Sequence, residues 1–276
     1  MARLDLELVR RGLARSRTHA AKLIADDAVR VDGEAVSKAS HPVPESAAIE
    51  VSDTEHDRYV SRAGHKLAGA LAAFPAVDPR GARCLDAGAS TGGFTDVLLQ
   101  AGAAEVVAVD VGHGQLVEAI RRDPRVHVHE GVNVRDLSPE DIGGPASLTV
   151  ADLSFISLTL VLGALYSCTL PGGDLLIMVK PQFEVGRERL AKTGVVGSDG
   201  ERRRAVTGVA EAAVGVGLAL RGLAVSPLPG QDGNVEYFLW LSRPAEPQAS
   251  QASAAADAQA WVSGLWPAAP HEEMPT

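Results

Sequence analysis

Apolar and polar positions follow two different rhythms along this chain, and the rhythm changes near residue 64. Residues 4–12 and 17–25 carry apolar side chains at helical spacing: Leu4, Leu8 and Val9, then Ala20, Ala21, Leu23 and Ile24, with Ser16 as N-cap of the second helix. The run from Val29 to Val36 alternates about Asp32-Gly33, a hairpin signature, and Ile49-Glu50-Val51 is a further short strand. These elements predict a small α+β unit over 1–58, followed by a linker at 59–63. Beyond it the pattern predicts a helix over 64–74, a strand over 83–86, a helix over 92–101, a strand over 105–110 and a helix over 114–122. Strands at 126–129 and 147–151, a helix near 157–167 and a strand at 174–180 follow. A glycine-rich loop at 184–200 and a long helix at 201–221 lead to strands at 223–227 and 235–241. Strand–helix alternation predicts an α/β fold with a mostly parallel seven-stranded sheet and helices on both faces. The last two strands are joined by a short Pro-Gly loop, so the last strand must run antiparallel to its neighbour. Residues 244–276 turn to Ala, Gln, Ser and Pro and read as a disordered tail, with Ala260 to Trp266 as a small docking segment the alternative.

Against this apolar background a few charges are out of place. Asp152 closes the run Leu148-Thr149-Val150-Ala151, Lys180 closes Leu175-Leu176-Ile177-Met178-Val179, and Glu236 interrupts Val235 to Leu241. Lys66 sits on the helix that leads into the larger domain. An ammonium or carboxylate in such a setting is costly unless paired, and groups of this kind concentrate where chemistry is done. Each alone reads as a buried ion pair or a strand-end lysine. Together, beside a glycine loop, they point to a reaction centre.

That loop is Cys84-Leu85-Asp86-Ala87-Gly88-Ala89-Ser90-Thr91-Gly92-Gly93-Phe94-Thr95, running from an apolar strand into a helix. Glycines permit close backbone approach to a ligand, and a helix N-terminus offers free N–H groups. The spacing Gly-x-x-x-Gly-Gly differs from the Gly-x-Gly-x-x-Gly of pyrophosphate sites. Asp86 would repel a dinucleotide phosphate but suits a cationic amino-acid group, and Asp110, ending the second strand, is placed for ribose hydroxyls. The combination suits S-adenosyl-L-methionine. Asn133, after the third strand, is placed to hydrogen-bond adenine, with His113, Gln115 and Asp136 as further candidates.

Composition narrows the class. The formal net charge is −9, yet residues 1–30 carry seven Lys and Arg against four Asp and Glu, while 244–276 carry four acids and no Lys or Arg. A locally basic face on an acidic protein can still bind phosphates. Arg3, Arg10, Arg11, Arg15, Arg17 and Lys22 are the candidate RNA-facing cations there. In the loop after Lys180, Phe183 is placed to stack on a base, and Arg187, Arg189 and Lys192 to meet phosphate. No apolar run reaches the length of a membrane span, and the first residues lack a signal-peptide core. Cys84 and Cys168 show no metal-ligand spacing, so no metal is expected and a reducing cytoplasm is the simple reading.

Three segments, taken with the two-part layout, resemble the TlyA family: Gly88 to Thr95, Ala151-Asp152-Leu153-Ser154-Phe155-Ile156-Ser157, and Val179-Lys180-Pro181-Gln182-Phe183-Glu184. Residues 4–58 are similar to a small ribosomal-protein-like RNA-binding domain, through Arg15-Ser16-Arg17 and Val29 to Gly33. Asp27 stands where that domain usually has glycine, which calls for a left-handed Asp at a small local cost. The resemblance implies a class I Rossmann-like methyltransferase domain over 64–243, with S-adenosyl-L-methionine as cofactor. It further implies a cytoplasmic, monomeric enzyme that methylates a ribose 2′-hydroxyl, a cytidine, in 16S and/or 23S ribosomal RNA, with ribosomal RNA and ribosomal subunits as partners. Lys66, Asp152, Lys180 and Glu236 match the Lys-Asp-Lys-Glu tetrad of FtsJ-like 2′-O-methyltransferases. Lys180 is the expected general base, its neutral amine favoured by the neighbouring Lys66 cation and by partial burial. The alternatives are a non-catalytic RNA-binding or ribosome-assembly factor and a membrane-active haemolysin.

Overall fold

The computed structural model describes residues 2–14, 16–25, 27–52, 58–186, 188, 190, 193–246 and 254–267. The chain forms two compact units that divide between Arg58 and Tyr59. The first unit runs β1 (Ala2–Arg3), α1 (Leu4–Arg10), α2 (Arg17–Ala25), β2 (Val29–Val31), β3 (Glu34–Ala35), β4 (Pro42–Val43) and β5 (Ile49–Val51). β2 lies between β3 and β5, antiparallel to both, and β1 pairs with β4. The apolar stripes of the two helices meet the sheet in a core that holds Leu4, Leu8, Leu23, Ile24 and Val29. Asp27 takes φ 57° after α2, the left-handed turn that glycine would otherwise supply, and Asp32 and Gly33 take φ 50° and 84° at the hairpin tip.

The second unit is built on one sheet. Its elements are α3 (Arg62–Ala73), β6 (Arg83–Ala87), α4 (Gly93–Gln100), β7 (Glu105–Asp110), α5 (Glu118–Arg121), β8 (Val126–Glu130), β9 (Ala146–Ala151), α6 (Leu162–Ser167) and β10 (Thr169–Val179). They continue through α7 (Pro181–Glu184), α8 (Asp199–Gly215), β11 (Ala219–Val225), β12 (Tyr237–Ser242) and α9 (Ala254–Leu265). The strand order is β11-β12-β10-β9-β6-β7-β8. All neighbours are parallel except β12, which runs antiparallel to both β10 and β11. Central strands are apolar on both faces because both are covered. Leu85, Val107 and Ile177 pack with α6 and α8 on one side, while Cys84, Val106 and Leu176 pack with α3 and α4 on the other. The reversal of strand order between β6 and β9 opens a crevice at the carboxyl ends of the strands, where ligands of such sheets sit.

Four expectations change. Residues 59–63 are not a free linker: Tyr59 is buried, the Val60 N–H donates to the Asp96 carboxylate at 2.8 Å, and α3 begins at Arg62. The helix expected over 114–122 shortens to Glu118–Arg121. Side chains take up the amides before it: Gly112 N donates to Asp110 Oδ1 at 2.7 Å, and Gly114 N to Glu130 Oε1 at 2.9 Å. The long helix ends at Gly215, not 221, because Gly217 turns to φ 96° and Leu218 N closes on the Ala213 carbonyl. Residues 219–225 are therefore strand.

The tail is the fourth correction. Residues 254–265 form α9, and Ala258 and Val262 are buried in the same core as Val206 and Leu239. The Trp266 indole N–H reaches both carboxylate oxygens of Asp199 at 3.0 and 3.2 Å, and its ring lies 5.0 Å from Tyr237. Alanine-rich composition reads as disorder only while its helix propensity has no apolar stripe to anchor it. Here Val262 supplies one, and burying it completely contributes about 1.5–3 kcal/mol. Among the described residues no helix is long and apolar enough to cross a membrane.

Candidate active site

The crevice begins at the glycine loop between β6 and α4. Gly88 takes φ 90°, and a Cβ there would stand 2.7 Å from the Asp152 backbone oxygen, so only glycine lets β6 and β9 end this close together. Ser90 follows with φ 48°. Its N–H donates to Asp110 Oδ2 at 2.8 Å while Gly112 N takes the other oxygen, and its hydroxyl lies 3.2 Å from Gln115 Oε1. Asp110 thus ties the first two strand–helix loops together at the end of β7. Asn133 lies at the third, its Oδ1 accepting the Arg135 amide at 3.1 Å.

Between these loops is a cleft of about 440 Å³, lined by Gly88, Ser90, Asp110, Asn133, Asp152 and Phe155 with an apolar floor of Val132, Val134 and Ile156. The volume falls in the ordinary range for small-molecule sites. Carboxylate acceptors from Asp110 and Asp152 set among aliphatic walls fit a nucleoside carrying a charged amino-acid tail. Gln115 lines the same cleft.

Not every residue of the glycine motif faces it. Asp86 is fully buried behind the loop and is absent from the cleft wall. Thr95 Oγ1 donates to its Oδ2 at 2.6 Å, its Oδ1 has no partner, and burial pushes its carboxyl up to about 7. The expectation that Asp86 reaches a cationic ligand group directly is corrected on that ground. Thr91 is exposed; Gly92 is packed against Leu116 and Ile120, and Gly93 against Ser61 and Gly64. Phe94 stacks on Phe238 in the core, 6.1 Å between centroids. Gly92, Gly93, Phe94 and Thr95 shape the loop from behind; Gly88 and Ser90 meet the cleft.

The four misplaced charges converge as two ion pairs. Lys66 Nζ lies 2.5 Å from Glu236 Oε2, and Lys180 Nζ lies 2.6 Å from Asp152 Oδ1 and donates to Ser154 Oγ at 2.9 Å. Lys66, Lys180 and Glu236 are 6, 9 and 2 % exposed. Adjacent strand ends bring them together: Val179 is in register with Tyr237, which sets Lys180 beside Glu236, and Asp152 leaves β9 next to β10. Gln182 Nε2 approaches Glu236 Oε1 at 3.4 Å, and its own Oε1 is buried without a partner. Each ammonium therefore has its own carboxylate partner, Glu236 for Lys66 and Asp152 for Lys180. Asp152 and Ser154 belong to the cleft wall as well, so this charged cluster opens onto the ligand cleft.

At the mouth stand two aromatic rings. Phe155 is 91 % exposed at φ 63°, and its ring centroid is 5.2 Å from that of Phe183 on α7. Phe155, Ser154 and Gln182 were not singled out as site residues by sequence, although all three lie in the segments around Asp152 and Lys180 that carry the family resemblance. Of the cations in the first unit, Arg3 and Arg17 pair with Asp5, and Arg10 and Arg11 with Glu7. These arginines hold both carboxyls down at about 2. Arg11 also donates to the Ala47 carbonyl at 2.6 Å, whereas Lys22 is exposed. Arg15, Arg187, Arg189 and Lys192 lie outside the described residues. Among the described residues no cluster of His, Cys, Asp and Glu has the form of a metal site.

Comparison with known proteins agrees with this geometry. Residues 59–243 match the FtsJ-like methyltransferase family and residues 2–49 the S4 domain. A relative from Mycobacterium tuberculosis (strain CDC 1551 / Oshkosh), named 16S/23S rRNA (cytidine-2′-O)-methyltransferase TlyA, is 55 % identical over 87 % of this chain and 89 % of its own length. Hemolysin A of Brachyspira hyodysenteriae is 36 % identical over 86 % of this chain and 98 % of its own. A solved structure from Streptococcus thermophilus, provisionally described as a hemolysin, superposes with a TM-score of 0.69 at 36 % identity, covering 95 % of this chain and 96 % of the other.

Proposed function

We propose that this chain, which belongs to the TlyA family of FtsJ-like methyltransferases, moves a methyl group from S-adenosyl-L-methionine to the 2′-hydroxyl of a ribose, a cytidine in 16S and/or 23S ribosomal RNA. The observation that carries the reading is the pair of buried Lys180 with part-exposed Asp152, opening onto a glycine-lined nucleoside cleft. S-adenosyl-L-methionine supplies an electrophilic methyl group on a sulfonium. Gly88 and Ser90 would bear on its amino-acid portion, Asp110 on its ribose, and Asn133 with the valine floor on its adenine.

A ribose hydroxyl is a poor nucleophile and its proton must leave as the new C–O bond forms. In this reading Lys180, held in line by Ser154 and Asp152, first releases a proton to water, and its free amine then takes the proton of the hydroxyl. The resulting ammonium is neutralised by Asp152 at 2.6 Å, so product charge does not build up in the interior. The Lys66–Glu236 pair buttresses the site from the α3 side. A general base of this kind supplies on the order of 10²–10⁴ in rate, and alignment of hydroxyl and methyl supplies much of the rest. The S4 unit anchors the RNA in the cytoplasm, where ribosomal subunits are found.

The test is transfer of labelled methyl to 30S and 50S subunits from a strain deleted for this gene, combined with mapping of ribose methylation. Wild type should label cytidine 2′-oxygens, and Lys180→Ala should lose at least about a hundredfold in rate with cofactor affinity retained. Equal rates would remove Lys180 from the role of base. No transfer by either protein would overturn the enzymatic reading.

A further inference from the structure

The two rings at the cleft mouth come from different loops, and one carboxylate joins those loops. Phe155 follows β9 and Phe183 lies on α7 after β10. Glu184, next to Phe183, accepts the Ser157 hydroxyl on Oε2 at 2.5 Å and the Leu158 N–H on Oε1 at 2.8 Å. Those donors lie two and three residues beyond Phe155. A phenylalanine with φ 63° and almost its whole surface in water has little of its own to hold it there. Left-handed backbone at such a residue persists only where the surroundings fix it: Lys180 holds Asp152 and Ser154 on the near side of Phe155, and Glu184 holds Ser157 and Leu158 on the far side.

We propose that Glu184 is a positioning residue that bolts the β9 and β10 loops together, so that Phe155 and Phe183 stand as a two-ring wall against which the target nucleotide's base is set. The inference rests on the methyltransferase reading and adds to it the residue that shapes the substrate side of the cleft. Phe155 lines the cleft beside Asp152 and Ser154, so a base packed on the ring wall brings its ribose toward Lys180. Stacking of a base on an aromatic side chain contributes about 1–3 kcal/mol, which corresponds to about 5- to 150-fold in substrate affinity. Glu184 touches neither Asp110 nor the glycine loop, and its loop supplies only part of the cleft lining, so its loss should fall far more on subunit binding than on cofactor affinity.

The variants are Glu184→Ala, Glu184→Gln, Phe155→Ala and the double variant Glu184→Ala/Phe155→Ala, assayed for methyl transfer to 30S and 50S subunits from the deletion strain. Glu184→Ala is expected to raise KM for the subunit at least tenfold, with S-adenosyl-L-methionine affinity within twofold by calorimetry. Glu184→Gln is expected to recover most of the loss, because its amide can accept from Leu158 N–H and donate to the Ser157 oxygen. The double variant should be no worse than Phe155→Ala, since both act through the same wall. Additive losses, or a Glu184→Ala enzyme with unchanged KM, would overturn the bolt. An independent reading comes from 4-fluorophenylalanine placed at residue 155. Its ¹⁹F resonance should shift toward the free amino acid in Glu184→Ala, and an unshifted resonance also overturns the proposal. This second measurement stands even where wild type transfers no methyl, so failure of the enzymatic reading and failure of the bolt are told apart.

Discussion

Lys66→Met tests whether the Lys66–Glu236 pair is a structural cost or a structural asset. The substitution keeps the length and volume of the side chain close to those of lysine and removes the charge, leaving Glu236 at 2 % exposure with Gln182 Nε2 3.4 Å away as a remaining donor. Removing one member of a buried pair costs about 3–5 kcal/mol, because the survivor is left uncompensated. For a unit of this size each kcal/mol shifts Tm by about 2–4 °C, so Lys66→Met should melt roughly 6–20 °C below wild type. Lys66→Met/Glu236→Leu removes both charges and restores an apolar contact with Met178, whose sulfur lies 4.0 Å from Lys66 Nζ. That double variant should melt close to wild type, while methyl transfer stays depressed. Differential scanning calorimetry of the two variants, with transfer assays alongside, reads both quantities. A double variant as unstable as the single one would refute the electrostatic reasoning. A single variant within about a degree of wild type would show that the pair is not desolvated as the geometry requires.

Two further outcomes follow from the glycine loop. Gly88→Ala places a methyl 2.7 Å from the Asp152 oxygen at a backbone φ of 90°, strain of about 1–3 kcal/mol, and should weaken S-adenosyl-L-methionine binding at least about tenfold by calorimetry; an unchanged Kd would move the cofactor out of this cleft. Asp86 has its carboxyl raised by burial to about 7 from 3.8, so the folded state binds its proton more tightly than the unfolded chain does. The stability this contributes is full below pH about 4 and is lost as pH rises through about 7, an effect of at most about 4 kcal/mol. Asp86→Asn should therefore flatten the urea midpoint between pH 4 and 8 relative to wild type, and parallel profiles would refute the assignment.

The sheet was legible because its strands are short apolar runs that stop at charges. Val106 to Asp110 ends at Asp110, and Leu148 to Ala151 ends just before Asp152, so the chemistry marks the carboxyl edge of the sheet. Helix ends were less legible where tertiary hydrogen bonds compete with helical ones. The residues before α5 have their amides taken by Asp110 and Glu130, one of them sixteen positions away, and no local propensity encodes that. At 254–265 composition misled, because the partners that anchor α9, Tyr237 and Asp199, come from elements distant in sequence. Asp86 shows the same limit on the scale of one residue. The spacing of the motif places it one step before the loop, and only the three-dimensional path of β6 shows that it points at Thr95 and not into the cleft.

The cations of the first unit show how a list of charged residues read along the sequence can miss the physical picture. Counted along the sequence, Arg3, Arg10, Arg11 and Arg17 read as free charges awaiting phosphate. In the fold they surround two buried acids, Asp5 and Glu7, at 4 and 3 % exposure. Four guanidiniums against two carboxylates leave a net of two positive charges, so the cluster still attracts an anion. The side chains of Arg3, Arg10 and Arg17 remain 48, 56 and 61 % exposed, with donors to spare beyond those the carboxylates occupy. A guanidinium already fixed by a buried acid loses less rotamer freedom when it meets a phosphate than a free one does, at about 0.5–1.5 kcal/mol per ordered side chain. The buried acids therefore weaken the long-range field of this unit but pre-arrange its close contacts, which suits recognition of a folded RNA better than indiscriminate attraction to any polyanion. Arg11 differs: bound to Glu7 and to the Ala47 carbonyl, and with its side chain 22 % exposed, it has less surface to offer an anion than the other three.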